Sequence, residues 1–132
     1  PYPGMKEALL RLRDAGKVLC VATSKPEPFA RAIADRFGLA ECFDFVGGAS
    51  LDDTRTKKAA VIEYVLASVG SPKPEQVLMV GDRRHDVEGA AAFGIDCVGV
   101  LYGYGSQEEL TAAGACFLAE QPADIADYVL GK

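Results

Sequence analysis

The stretch Val77-Leu78-Met79-Val80-Gly81-Asp82-Arg83-Arg84-His85-Asp86 joins an apolar run to a glycine and two carboxylates four residues apart. Apolar residues on both faces predict a buried parallel strand. Gly81 allows a sharp turn, so Asp82 falls at the strand's carboxyl end, the edge where open α/β sheets bind ligands. Asp86 follows about one helical turn later and can face the same point. Two hard oxygen ligands at a strand tip suit Mg2+, which takes a few carboxylates together with water and substrate phosphate. An ordinary solvated acidic turn is the competing reading of this segment alone.

Around this stretch the chain alternates helix and strand, the pattern of an α/β fold. An amphipathic helix is expected over 5–15, with Met5, Leu9 and Leu12 on one face and Gly16 as its stop. A strand over 17–23 follows, then a helix opened by Pro26 and Pro28 that runs to Phe37 and ends at Gly38. A short strand over 43–46 is closed by Gly47-Gly48. A polar loop over 51–56 then leads to a helix over 57–69 that buries Val61, Ile62, Val65 and Leu66. Beyond the 77–80 strand, a small-residue helix reaches Gly94 and a strand covers 95–101. Ser106 is placed to cap a short helix, with Glu109 as its capping-box partner. An edge strand over 115–118 and a helix opened by Pro122 follow.

The 132 residues form one domain, with no internal repeat or linker. A net charge of −5 without any basic run argues against nucleic acid as a partner. The apolar runs are strand-sized, so no membrane span is expected. Pro1-Tyr2-Pro3-Gly4 lacks the basic-then-apolar pattern of a secretory leader. The cysteines, Cys20, Cys42, Cys97 and Cys116, stand singly in apolar surroundings, and there is one histidine. That spacing argues against zinc and for reduced core thiols in a cytoplasmic protein.

Because the βα units run in one direction, their strand ends share one edge of the sheet. Three polar stations fall there. Thr23 and Ser24 offer hydroxyls for a phosphate oxygen, or else cap the next helix. Lys57 and Lys58 open a helix against its macrodipole, an unfavourable placement that suggests an anion nearby, although one of the two is expected to be a plain surface lysine. Asp82 and Asp86 form the third. Hydroxyl, ammonium and paired carboxylates together make a phosphate-plus-Mg2+ site.

With these residues in place, the chain resembles the haloacid dehalogenase-like hydrolase superfamily, in its phosphoglycolate phosphatase-like branch. Tyr2-Pro3-Gly4 is similar to the return from the cap domain into the core, and Val21-Ala22-Thr23-Ser24-Lys25 to the second motif. Lys58, in Lys58-Ala59-Ala60-Val61-Ile62, fits the third-motif lysine better than Lys57. Gly81-Asp82-Arg83-Arg84-His85-Asp86 is similar to the fourth motif, and Leu101-Tyr102-Gly103-Tyr104-Gly105-Ser106 to the segment after the last core strand. The resemblance implies a Rossmann-like three-layer αβα sandwich with a mainly parallel sheet. It also implies a Mg2+-dependent phosphatase acting on a small phosphate monoester such as phosphoglycolate. Thr23, Ser24 and Lys58 would bind phosphate, Thr23 and Lys58 would assist catalysis, and Asp82 would hold the metal supported by Asp86.

The family's nucleophile, an aspartate in an N-terminal D-x-D-G-T motif, has no counterpart between Pro1 and Lys132. Asp44 and the Asp52-Asp53 pair lack the preceding strand or the Gly-Thr that follows. The chain therefore resembles the core that follows the cap. A preceding segment is expected to supply the strand between those at 17–22 and 77–80; failing that, those two strands are expected to pair directly or to recruit another chain. The alternative reading is a non-catalytic α/β module that binds metal or phosphate or serves as an interaction domain. His85 is expected to be a surface residue, and Arg83 either to orient phosphate or to pair with Asp86. Gly103 and Gly105 do not form a dinucleotide fingerprint, because the third glycine and its strand–turn–helix setting are missing.

Overall fold

The computed structural model describes residues 3–52, 55 and 57–131; Tyr2 and Asp53, singled out above, lie outside them. Helix α1 (Met5–Asp14) is followed by strand β1 (Cys20–Pro26), helix α2 (Glu27–Arg36), strand β2 (Phe45–Ala49) and helix α3 (Lys58–Ser68). Strand β3 (Leu78–Gly81), helix α4 (Arg84–Ala91), strand β4 (Asp96–Val100), helix α5 (Gln107–Ala113), strand β5 (Phe117–Ala119) and helix α6 (Pro122–Leu130) complete it. All described pairings are parallel, as a chain of βα units requires.

The strands fall into two groups, β1-β2 and β3-β4-β5. On β4, Cys97 packs with Val87, Ala90 and Leu110 of α4 and α5 on one face, while Val98 and Val100 pack with Ile125 of α6 on the other. Helices on both faces of parallel strands make three layers, the αβα arrangement expected from the sequence. Helix α3 spans the division, packing on β1, β2 and α4. Helix α1 lies on α6 through Ala8, Leu12 and Ala126.

Between β1 and β3 no strand is present among the described residues, and these two do not pair. The consequence is visible in burial. Val98, on the doubly flanked β4, is 0% exposed, whereas Val80 on β3 is 39% exposed. The apolar run at 77–80 thus has the composition of an interior strand without the neighbour that would bury it.

Two element readings change. The Gly47-Gly48 pair does not end β2 but lies inside it, with Gly47 in register with Ala22. Thr23, Ser24 and Lys25 extend β1, and the α2 N-cap is Pro26, so neither hydroxyl caps that helix.

The thiols also differ from expectation. None forms a disulfide, and Cys42 and Cys97 are buried, but Cys116 is exposed, its sulfur accepting a hydrogen bond from Tyr128 Oη at 3.5 Å. Burial pushes the Cys97 thiol up to about 12, with Asp86 adding to the rise. Because the thiolate is the nucleophile, an aromatic disulfide reagent at neutral pH should label Cys116 first and Cys97 only on unfolding. Mass mapping of the first labelled peptide checks this. No described helix is long and apolar enough to cross a membrane.

Candidate functional site

At the carboxyl ends of β1 and β3 the fold opens a cleft of about 810 Å³, lined among others by Thr23, Ser24, Lys57, Lys58, Asp82 and Asp86. Every site residue singled out from the sequence therefore meets at one place. Strand-end chemistry explains why: β1 delivers the hydroxyls, the start of α3 the lysine, and the β3–α4 turn the carboxylates.

Lys58 is the joint between the two strand groups. Its Nζ donates to the Ala22 carbonyl of β1 at 3.0 Å and lies 2.7 Å from Asp86 Oδ1 on α4. The Lys58 side chain keeps 18% of its surface and that of Asp86 only 9%. Lys57, the α3 N-cap, stays exposed. Of the two lysines, Lys58 is the one the fold draws inward.

Asp86 has both carboxylate oxygens engaged. Its Oδ2 accepts the Asp82 and Arg83 backbone N–H groups at 3.0 and 3.3 Å, while Oδ1 takes the lysine. Asp124 does the same for α6, accepting the N–H groups of Glu120 and Gln121. A carboxylate in the first turn meets the helix's free donors and its dipole. Asp86 is thus a helix-terminal carboxylate whose second oxygen is given to Lys58.

Asp82 is half-buried, and its Oδ2 accepts the Tyr104 backbone N–H at 2.9 Å. Among the described residues, no hydrogen bond is made to its Oδ1. Thr23 Oγ1 accepts the Lys25 N–H at 3.2 Å, and its hydroxyl hydrogen remains for an incoming acceptor. His85 lies exposed at the cleft.

Three features escaped the sequence reading. Of the two roles expected for Arg83, the pairing with Asp86 is not made by its side chain: the guanidinium donates to Glu109 at 2.9 and 3.3 Å, while the residue lines the cleft. Those hydrogen bonds hold the Glu109 carboxyl below its ordinary value and the guanidinium above its own. Ser106 does cap α5 by accepting the Glu109 N–H, but the Glu109 side chain leaves the expected capping box and crosses to α4. Gly103 and Gly105 let the loop after β4 approach Asp82: a Cβ on Gly103 would overlap the Asp82 side chain, and one on Gly105 the Asp82 carbonyl oxygen. The Gly-x-Gly spacing carried that signal. Gly89 likewise leaves room for Lys58, whose Cγ would stand 2.9 Å from an added Cβ.

Parallel strands, covering helices and a strand-end cleft that brings together hydroxyl, ammonium and carboxylate groups define the domain as an α/β fold with its polar residues gathered at one edge. The model of the haloacid dehalogenase-like hydrolases matches residues 1–94, and the chain belongs to that family. A tyrosine-protein kinase PtkA of Mycobacterium tuberculosis is 50% identical over 104 residues, 79% of this chain and 35% of that protein. A 5'-nucleotidase of Pseudomonas aeruginosa is 46% identical over 84% of this chain and 50% of its own length. A phosphoglycolate phosphatase of Vibrio vulnificus is 33% identical over 98% of this chain and 56% of its own. Among solved structures, a predicted phosphatase from Clostridium acetobutylicum superposes with a TM-score of 0.94 at 39% identity, covering 99% of this chain and 60% of that one. The chain thus spans about a third to a half of the first curated relatives.

Proposed function

We propose that this chain is the phosphate- and Mg2+-holding core of a phosphatase for small phosphate monoesters, with phosphoglycolate as the favoured substrate. The observation that carries the reading is Lys58. Its ammonium is held between the Ala22 carbonyl and Asp86, in a cleft it shares with Thr23 and Asp82. Thr23 and Ser24 bind phosphoryl oxygens through hydroxyl hydrogens, and Lys58 neutralises charge that develops on those oxygens. Asp86 keeps Lys58 in place.

The described residues contain no group of three or more His, Cys, Asp or Glu able to hold a metal. Asp82 nonetheless offers a carboxylate oxygen that, among the described residues, no protein donor occupies, beside the cleft. That fits a cation which takes few protein ligands and keeps its waters. Asp82 would hold Mg2+, with Asp86 supporting it by fixing the Asp82 backbone. When bound, the metal supplies positive charge against the phosphoryl oxygens.

Covalent catalysis needs a carboxylate nucleophile that this chain lacks. The division between β1 and β3 is where the family resemblance puts the strand carrying it. In this reading an N-terminal segment or a second chain completes the sheet there. The free thiols fit a reducing compartment such as the cytoplasm.

The test is a chimera in which the N-terminal strand and cap of the Clostridium acetobutylicum protein precede this chain. Mg2+-dependent hydrolysis of p-nitrophenyl phosphate is the expected result, with kcat falling about 10²-fold or more in Asp82→Asn and in Lys58→Met. A folded but inactive chimera supports the non-catalytic module instead. Full activity in Asp82→Asn overturns the site.

A further inference from the structure

The turn that carries Asp82 is held from two directions. Three successive backbone N–H groups donate to carboxylates: those of Asp82 and Arg83 to Asp86 Oδ2, and that of Arg84 to Glu109 Oε2 at 2.9 Å. The first carboxylate belongs to α4 itself, the second to α5. Glu109 also grips the Arg83 guanidinium, so one side chain fixes both residues that follow Asp82.

The same link reaches Asp82 by a second route. Tyr104, whose N–H holds Asp82 Oδ2, sits in the loop between β4 and α5. That loop ends at Ser106, whose Oγ accepts the Glu109 N–H at 3.1 Å. Glu109 therefore pins the far end of the loop to α4 while Tyr104 pins its middle to Asp82. Glu109 does not line the strand-end cleft.

We propose that Glu109 is a positioning residue that sets the cation affinity of Asp82 by tying α5 and its preceding loop to the Asp82 turn. The proposal rests on the reading of Asp82 as the cation-holding carboxylate. Groups that orient a metal-binding side chain affect metal affinity without touching the metal, by restricting where its oxygens can go. Buried Leu110 keeps α5 seated in the core, so losing the Glu109 carboxylate loosens the turn while the helix stays in place.

The test uses the chain as it stands, with Mn2+ as the probe and paramagnetic broadening of backbone amide signals as the readout. In the unaltered chain, Mn2+ should selectively broaden residues 82–86 and 103–105. Glu109→Gln should need about threefold to tenfold more Mn2+ for half-broadening, at or below the low end for groups that touch a metal ligand directly. Arg83→Gln, which removes the ion pair from its other side, should shift the midpoint the same way, and Glu108→Gln should leave it in place. A Glu109→Gln midpoint equal to that of the unaltered chain overturns the positioning role. Should Glu109→Gln lose its spectral dispersion, an unshifted midpoint in Arg83→Gln overturns it equally. Absence of selective broadening in the unaltered chain overturns instead the assignment of Asp82 as a cation ligand.

Discussion

Asp86→Ala is expected to lower the unfolding free energy by about 3 kcal/mol, the low end for breaking a buried ion pair by removing one partner. The loss has two parts. Lys58 is left as a nearly buried ammonium whose remaining described acceptor is the Ala22 carbonyl, and the Asp82 and Arg83 N–H groups lose their common acceptor. The figure sits at the low end because Lys58 keeps some contact with water and the turn amides lie near the surface. Asp86→Asn retains an acceptor oxygen and removes the charge, so it should cost about half as much. Urea denaturation measures both. A double-mutant cycle separates the parts: adding Lys58→Met to Asp86→Ala removes the orphaned cation and should recover part of the loss. Recovery of nothing would place the cost in the turn amides instead, and equal losses in Asp86→Ala and Asp86→Asn would place it in the ion pair.

How much of this was legible in the sequence differs by the range of the interaction. The convergence of Thr23, Lys58 and Asp82 was legible, because parallel βα units bring successive strand ends to one edge whatever the loops do. The choice of Lys58 over Lys57 rested on spacing to Val61 and Ile62, and those residues are buried in α3. The partner of Glu109 was not legible. A capping box joins residues three apart in sequence, whereas Arg83 lies 26 residues away from Glu109. The half-exposure of Val80 was hidden for a related reason. An apolar β run states what the strand can bury, and only the neighbouring strands decide what it does bury.

Gly47 and Gly48 show the same limit from the backbone side. Two glycines after a short β run read as a stop, because glycine in a strand gives up both propensity and packing. In the fold they continue β2 because other atoms need the space. A Cβ on Gly48 would stand 2.6 Å from the Lys25 carbonyl oxygen, 2.7 Å from Glu27 Cα and 2.8 Å from Glu27 N. All three are backbone atoms of the turn from β1 into α2, and none can rotate away. The Gly48 N–H also donates to Glu27 Oε1, and its carbonyl accepts from Arg55 Nε.

Gly48→Ala should therefore cost about 2 kcal/mol, in the range for forcing extra volume into a packed site. Gly131→Ala is the comparison: its φ of 76° imposes a left-handed penalty of about 1 kcal/mol, but an added Cβ meets nothing. A larger loss at Gly48 than at Gly131 in urea denaturation is the expected result, and the reverse order would sink the close-approach argument. The effect extends to the cleft, because the displaced turn begins just beyond Thr23 and Ser24. In a catalytically complete chimera, Gly48→Ala should lower kcat/KM for p-nitrophenyl phosphate by about tenfold, since small displacements of positioning groups carry large rate penalties. Unchanged kcat/KM alongside the stability loss would show that the shift is absorbed within α2 before it reaches the phosphate-binding hydroxyls.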